Sequence, residues 1–485
     1  MKRLNLYWNT LRYLKPVQVF GRIRFQLAQP KADNSPAPAL RQARRPVRVP
    51  WRQASITGPC QLQFLGETGG IGNASDWRDP ARSALWLYNA HYFDDLTAID
   101  ASGRHGWQTE LINRWILENP PVGGVGWAPY PTSLRLVNWT FWMLDNPDEQ
   151  TLARLQSMAV QTRYLAQRLE HHILGNHLLA NAKALVFSGL MFAGAEAEGW
   201  YQRGMALLIR EFGEQVLPDG GHFERSPMYH NIILTALLDL LALHAAFDRP
   251  APARWPGLVQ NMLEWAAAMT HPDGEIALFN DAAFDIAPNL WQLHDYAAKV
   301  GVPVSPSPLA DITILQPSGY VRLVAGDASV IADLAPVGPD HLPAHGHADT
   351  LSFELSLGQD RVVVNGGTSL YGLGPERHRQ RGTANHSTLV VDGANSSEVW
   401  ADFRVARRAR VTGVEASRTG QSLWAKGTHD GYVRLPGKVL HSREWTLTDG
   451  RLTVTDRLTG AGKHHVAILF HLAPGLLAAK ESDGT

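Results

Sequence analysis

Three short segments hold most of the side chains that could do chemistry. The first, "PAHGHADTLSFEL" at 343–355, has His345 and His347 two residues apart and Asp349 two further on, followed by Leu351, Phe353 and Leu355 in alternation. That alternation predicts a strand with one buried face. In an extended segment His345 and His347 share a side, a placement suited to proton transfer or metal binding. The second, "ILGNHLLANAKAL", puts Asn176 near a helix start, where it serves either as an N-cap or as an amide donor to a substrate carboxylate. The third, "DGGHFERSPMYHN", gathers His222, Glu224, Arg225 and His230 around Tyr229, just ahead of a long apolar helix. Tyr229 there either packs or shuttles a proton.

A metal at the histidine pair needs further ligands, and His386 in "GTANHSTLVV" is a candidate. His171, His172 and His177 read as surface or supporting groups. Two arginine sets, Arg377, Arg379 and Arg381 and then Arg404, Arg407, Arg408 and Arg410, flank the His386 strand. They are either solvated charge or a surface for an acidic polymer, because guanidinium matches carboxylate and sulfate geometry. No HExxH motif is present, and "GGVGW" at 123–127 lacks the Lys-Ser/Thr that a phosphate loop needs.

These segments need a scaffold, and the chain is long enough at 485 residues for two or three domains. Hydrophobic residues make up 45% and charged residues 19%, an ordinary balance for a globular chain. Forty-five basic and 45 acidic side chains leave no overall field for nucleic acid. Cys60 is the only cysteine, so no intrachain disulfide forms. No apolar run approaches the roughly 20 residues of a membrane span. The N-terminus, "MKRLNLYWNTLRYLKPVQVFGRIRF", reads as an amphipathic arm that packs on the body or docks on a membrane surface or partner. It lacks a clean apolar core and a small-residue cleavage site, which leaves periplasm and cytoplasm both open.

Residues 30–60, rich in proline and arginine, predict an irregular linker wrapped over the surface. From about 80 to 305, apolar residues recur at helical spacing in 161–174, 180–192, 204–217, 231–247 and 258–269. Short Gly, Pro and Asp breaks between them predict antiparallel neighbours. After about 308 the period changes to two, with Asp392–Gly393 and Asp449–Gly450 as hairpin turns. The expectation is an α+β multidomain chain: an arm and linker over 1–75, a helical domain over 76–307, and an antiparallel β-sandwich over 308–485. The last strand-like stretch, "HVAILFHL", lies close to the end, so the sandwich is expected to be incomplete there or the chain shortened.

"HGHADTLSFEL", "VVVNGGTSLYG" and "RGTANHSTLVVDG" together resemble the heparinase II/III family of polysaccharide lyases. "LYNAHYFDDL", "GWAPYPTSLRLVNW", "GNHLLANAKAL" and "DGGHFERSPMYHN" are similar to its helical domain, and the likeness spans roughly residues 80–415. The resemblance implies an incomplete (α/α) toroid followed by an antiparallel β-sandwich. It also implies β-elimination in a uronic-acid polysaccharide, with no cofactor in the chemistry. Elimination requires that the uronate carboxylate be neutralised before its C5 proton can leave, and that an acid protonate the departing O4. By resemblance Asn176 neutralises the carboxylate with His177 or His222 nearby. Tyr229 is then the main base and acid, with His345 as its partner. Glu224, Arg225 and Arg381 complete the expected substrate contacts. The resemblance further implies a structural zinc on His347 and His386, but Asn365 stands where the family has a carboxylate, and a neutral amide is a poor zinc ligand, which leaves Asp349 as the substitute. Two other readings compete: a silent acidic-polysaccharide-binding protein tied to exopolysaccharide synthesis or export, and a glycoside hydrolase using Glu224 with Asp281.

Overall fold

The computed structural model describes residues 2–304 and 308–479. The expected boundary between 307 and 308, and the last residues of the expected incomplete edge, lie outside the described residues. Two helices open the chain, α1 (Lys2–Leu11) and α2 (Pro16–Leu27). The segment after them runs extended over the helical body, as the Pro/Arg composition predicts: Arg41 N–H donates to Met191 O and Arg44 N–H to Ala246 O. A small antiparallel sheet follows that the sequence reading did not anticipate, β1 (Ile56–Gly58), β2 (Gln61–Phe64) and β3 (Glu67–Gly70).

Nine helices form the next part: α3 (Ala84–Tyr92), α4 (His105–Glu118), α5 (Pro129–Asp145), α6 (Leu152–Gln167), α7 (Gly175–Met191), α8 (Ala195–Gln215), α9 (Pro227–Ala246), α10 (Trp255–Ala268) and α11 (Leu290–Lys299). In α7 every residue but His177 is buried, and α9 is nearly as enclosed. Helices apolar on all sides belong inside a larger bundle. This corrects the expectation that no run approaches membrane-span length: α9 has the length and hydropathy to cross a bilayer, yet 78% of its most apolar window is buried within the protein. Trp77, Trp86, Trp115, Trp139, Trp142 and Trp255 are likewise buried in this core. The helix expected over 161–174 stops at Gln167. Beyond it Asn181 captures the Glu170 N–H, and Leu174 takes a φ of 68°.

The C-terminal part is antiparallel sheet. β4 (Ile312–Leu315), β5 (Tyr320–Ala325), β6 (Ala328–Asp333), β7 (Phe353–Leu357) and β8 (Asp360–Val363) pair in sequence order. A short helix, α12 (Pro375–Gln380), leads to β9 (Leu389–Val391), then β10 (Val399–Trp400) and β11 (Arg404–Val405). β12 (Val411–Thr419), β13 (Ser422–His429), β14 (Leu440–Thr448) and β15 (Arg451–Thr459) form a second sheet, and β16 (Val466–Ile468) pairs with β9. Burial alternates strictly along β13. Its inward Leu423 and Ala425, with Trp445 and Leu447 of β14, share one core cluster with Leu323, Val330 and Phe353 of the first sheet. At about 25 cal/mol per Å² of apolar surface removed from water, that shared cluster holds the two sheets together. Asp449–Gly450 joins β14 to β15 as expected, with Thr448 paired to Arg451.

Candidate functional site

Asp281 is the centre of the site. It lies after Asn280, in the connection between α10 and α11, with no solvent exposure. One carboxylate oxygen meets His345 Nδ1 at 2.9 Å and the other meets His347 Nε2 at 2.8 Å. Arg377 of α12 reaches both oxygens, with Nη2 at 2.7 Å from Oδ2. Burial pushes this carboxyl upward, but the bonds from His345, His347 and Arg377 outweigh it and hold Asp281 well below the usual carboxylate range. An ionised carboxylate only accepts hydrogen bonds. His345 therefore carries a proton on Nδ1 and His347 on Nε2; burial holds His347 below its ordinary value despite Asp281, so its Nδ1 is a lone pair, and His345 Nε2 has no hydrogen-bond partner among the described residues.

Backbone contacts fix this arrangement. Asp281 N–H donates to His345 O at 3.0 Å, and His347 N–H donates to the Asn280 side chain at 3.0 Å. A Cβ on Gly346 would collide with Val337 O, so only glycine fits between the two histidines. The expectation of a strand start here is corrected. The segment from Pro343 to Ser352 is a loop that turns at Leu351, φ 62°, and β7 begins only at Phe353. The histidines meet because both face one carboxylate, not because they share a strand side.

His345 Nε2 looks toward Glu224 Oε2, 3.9 Å away. The Glu224 carboxyl is buried and neither oxygen has a hydrogen-bond partner among the described residues. Burial raises it above the ordinary glutamate value, partly offset by the neighbouring His345 and His177. Tyr229, in the first turn of α9, lies against the His345 ring with centroids 3.9 Å apart and the planes tilted by 32°. Ser226 caps that helix by accepting the Tyr229 N–H. The Tyr229 hydroxyl is 3.0 Å from the hydroxyl of Tyr371. Tyr371 and Phe403 stack in turn, and the Arg377 guanidinium lies over both rings. Burial first, then Tyr371 and Asp281, keeps the Tyr229 phenol well above its ordinary value, so it rests protonated.

Asn176 sits in the first turn of α7, buried, and its amide makes no hydrogen bond among the described residues. It is not the N-cap: that position is Leu174, at φ 68° and ψ −155°, a region nearly reserved for glycine. Gly175 follows at φ 55°, and a Cβ there would stand 2.9 Å from Glu224 Oε1. The start of α7, with its unpaired backbone N–H groups, thus abuts Glu224, and helix N-termini favour anions. His177, one residue on, donates toward Glu170 at 3.1 Å and stacks on Tyr130. Burial lowers its basicity, but the Glu170 carboxylate prevails and raises it.

Other expected contacts lie elsewhere. Arg381 is fully buried and spends Nε and Nη2 on Gly346 O and Nη1 on Asp402 O. Arg225, at φ 61°, donates to Ser318 O and Phe223 O. Both guanidiniums hold backbone in place and do not face the space beside His345. His222 is enclosed too, bonded to Gln215, which holds Gly175 O. Sequence reasoning missed Tyr371, Arg377 as the Asp281 partner, and Asp281 as an orienting group.

The zinc expectation meets a mixed donor set. His347 Nδ1 and His386 Nε2 are buried without partners, their rings 5.3 Å apart, as two metal ligands would be. The third position is the Asn365 amide, which accepts from His386 Nδ1 at 3.1 Å. Among the described residues no three His, Cys, Asp or Glu side chains converge. Two imidazoles and a neutral amide do not make a zinc site.

Two family descriptions match the chain, "Heparinase II/III N-terminus" over residues 111–298 and "Heparinase II/III-like, C-terminal" over residues 308–485. FtsZ-localized protein C of Caulobacter vibrioides is 25% identical over 479 residues, covering 91% of this chain and 78% of that protein. A heparin-sulfate lyase of Pedobacter heparinus is 25% identical over 298 residues, 56% of this chain and 44% of the lyase. The crystal structure of Heparinase III superposes with a TM-score of 0.64 at 18% identity, covering 85% of this chain and 68% of that one, a likeness of fold. Its helical part and its sheet part are each matched by one half of the same family, in the same order, and the protein belongs to the heparinase II/III family.

Proposed function

We propose that this protein is a polysaccharide lyase that cleaves a uronic-acid-containing acidic polymer by β-elimination. On this reading the helical part is an incomplete (α/α) toroid and the two facing sheets are a β-sandwich, with the polymer between them. The uronate carboxylate sits at the start of α7, where the Asn176 amide, the backbone N–H groups and a protonated His177 offset its charge. His345 Nε2 takes the C5 proton. The C5–H electrons form the C4–C5 double bond, the C4–O4 bond breaks, and the Tyr229 hydroxyl protonates O4. His345 then releases its extra proton to solvent and the Tyr229 phenolate takes one up, which restores both groups. Side chains fill every role, so the chemistry needs no cofactor.

The observation that carries this reading is the unpartnered Nε2 of His345, whose ring is fixed by Asp281 and lies against that of a protonated Tyr229. It divides base and acid between the two residues instead of assigning both to Tyr229. The hydrolase reading fares worse: Asp281 is wholly engaged by His345, His347 and Arg377, and has no lone pair for water or sugar. A second reading, a polysaccharide-binding protein without turnover, has one observation in its favour. The relative aligned over most of both chains is named for a location, FtsZ-localized protein C, and not for a reaction. Mass analysis of digests of a heparan, hyaluronan, alginate and bacterial exopolysaccharide panel separates the three. A lyase gives fragments one water lighter than hydrolysis products, a hydrolase gives the heavier ones, and a binder leaves the polymer intact.

A further inference from the structure

The N-terminal arm has two contrasting faces. Its inner face is anchored to both parts of the molecule. Trp400 Nε1 donates to Thr10 Oγ1, Gln18 donates to His341 O, and Arg168 lies over Phe25 while donating to Phe25 O and Ala28 O. These contacts hold the helices in place whatever meets the other side. Its outer face is apolar at helical spacing: Leu4 (74% exposed), Trp8 (66%) and Leu11 on α1, then Phe20 (71%), Ile23 and Leu27 (79%) on α2. Exposed Arg3, Arg12, Arg22 and Arg24 interleave with that stripe.

Charge says what covers it. Residues 1–32 contain seven Lys and Arg and no Asp or Glu, which leaves 38 basic against 45 acidic side chains in the rest of the chain. An anionic surface therefore attracts the arm and repels the remainder, orienting the molecule. A second copy across a two-fold axis would set like charge against like. An apolar stripe bordered by arginines is the pattern of a helix lying in a lipid interface, its apolar side at the acyl boundary and its cations among headgroup phosphates.

We propose that α1 and α2 dock the protein on an anionic lipid bilayer surface through Leu4, Trp8, Leu11, Phe20, Ile23 and Leu27. The inference does not depend on the lyase reading. It is tested by co-sedimentation of the full chain with phosphatidylcholine vesicles, with and without phosphatidylglycerol. The protein should pellet with the anionic vesicles, and added salt should release it. F20E/I23E should weaken partition at least about tenfold, because two charges replace two buried anchors, while the melting temperature holds. Were that variant less stable, Leu27→Glu, at the exposed end of α2, supplies the same test. R22Q/R24Q should weaken binding by about 10- to 30-fold at low salt. Failure to pellet with anionic vesicles, or unchanged binding of the apolar variants, overturns the proposal. So does concentration-dependent self-association lost in F20E/I23E, which would give the face to a second copy.

Discussion

The chain contains two buried clusters of identical composition, each with two histidines, one aspartate and one arginine. In the candidate site they are His345, His347, Asp281 and Arg377; between β13, β14 and β15 they are His429, His441, Asp456 and Arg443. In the sheet cluster every polar atom is spent. Asp456 accepts from His441 Nε2 at 2.6 Å and from both arms of Arg443. His441 Nδ1 accepts from His429 Nε2 at 3.1 Å, and His429 Nδ1 accepts from the Gly431 N–H. In the site cluster the aspartate lies between the two rings, so each histidine keeps one nitrogen free. One of these, His345 Nε2, faces Tyr229 and Glu224. The difference is topological, not compositional: a chain pairs every ring nitrogen, whereas a fork leaves one nitrogen of each ring unpaired.

On the proposed lyase mechanism the largest expected effect is at Tyr229. Tyr229→Phe should lower kcat by about 10²–10⁴-fold with polymer binding retained, since only the phenolic proton is lost; near-normal rates in steady-state assays would remove Tyr229 from the chemistry. Asn176→Ala should lower kcat by about 10²–10³-fold, the usual cost of one oxyanion donor. Its urea midpoint should not move, because Leu174 and not Asn176 occupies the N-cap. A large loss of stability in that variant would return Asn176 to a structural role.

The two aspartates sharpen the comparison directly. Asp281→Asn and Asp456→Asn should each cost about 3–5 kcal/mol in urea unfolding, because each strands a buried arginine. On the proposed mechanism only Asp281→Asn should also lower kcat, since only there would the carboxylate set the tautomer of a reacting imidazole. Equal kinetic losses in both variants would erase the distinction.

A smaller effect is in acid. Burial raises Asp456, but His441 and Arg443 hold it down at about 2. A carboxyl lowered on folding stabilises fully above its unfolded pKa, about 3.9, and that stability is lost as pH falls through the folded value. Urea midpoints should therefore drop between about pH 4 and 2, and the drop should be shallower in Asp456→Asn. The smallest expected change concerns metal. EDTA should leave the melting temperature unmoved, because His347, His386 and Asn365 do not complete a zinc site; one zinc per chain by elemental analysis would contradict that.

Much of this was legible in the sequence because it is local. Period-3.6 and period-2 runs located α7 through α10 and β5 through β8. His345, Tyr229 and Asn176 were visible as polar residues gathered beside apolar runs. The network that holds them in place was not, because its bonds span 64 residues from Asp281 to His345, 96 to Arg377, and 142 from Tyr229 to Tyr371. Nothing at Asp281 itself announces a carboxylate shared by two rings. The strand start was misjudged because Leu351 is in phase with Phe353 and Leu355, yet its positive φ belongs to the turn closed by Ser352 N–H on Asp349 O. Of the two readings of Asn176 the cap falls away, because Gly175 adopts φ 55° and the helix starts there, with Leu174 at the N-cap. Arg225 and Arg381 looked like ligand groups from their charge; burial gave them to backbone carbonyls instead.

The most direct test of the account follows ultraviolet absorbance of the unsaturated uronate in wild type, Tyr229→Phe and Asp456→Asn on one acidic polysaccharide. The account predicts a steady rise for wild type, a rise at the same initial rate per folded molecule for Asp456→Asn, and a flat trace for Tyr229→Phe. A rise in Tyr229→Phe equal to wild type would contradict it.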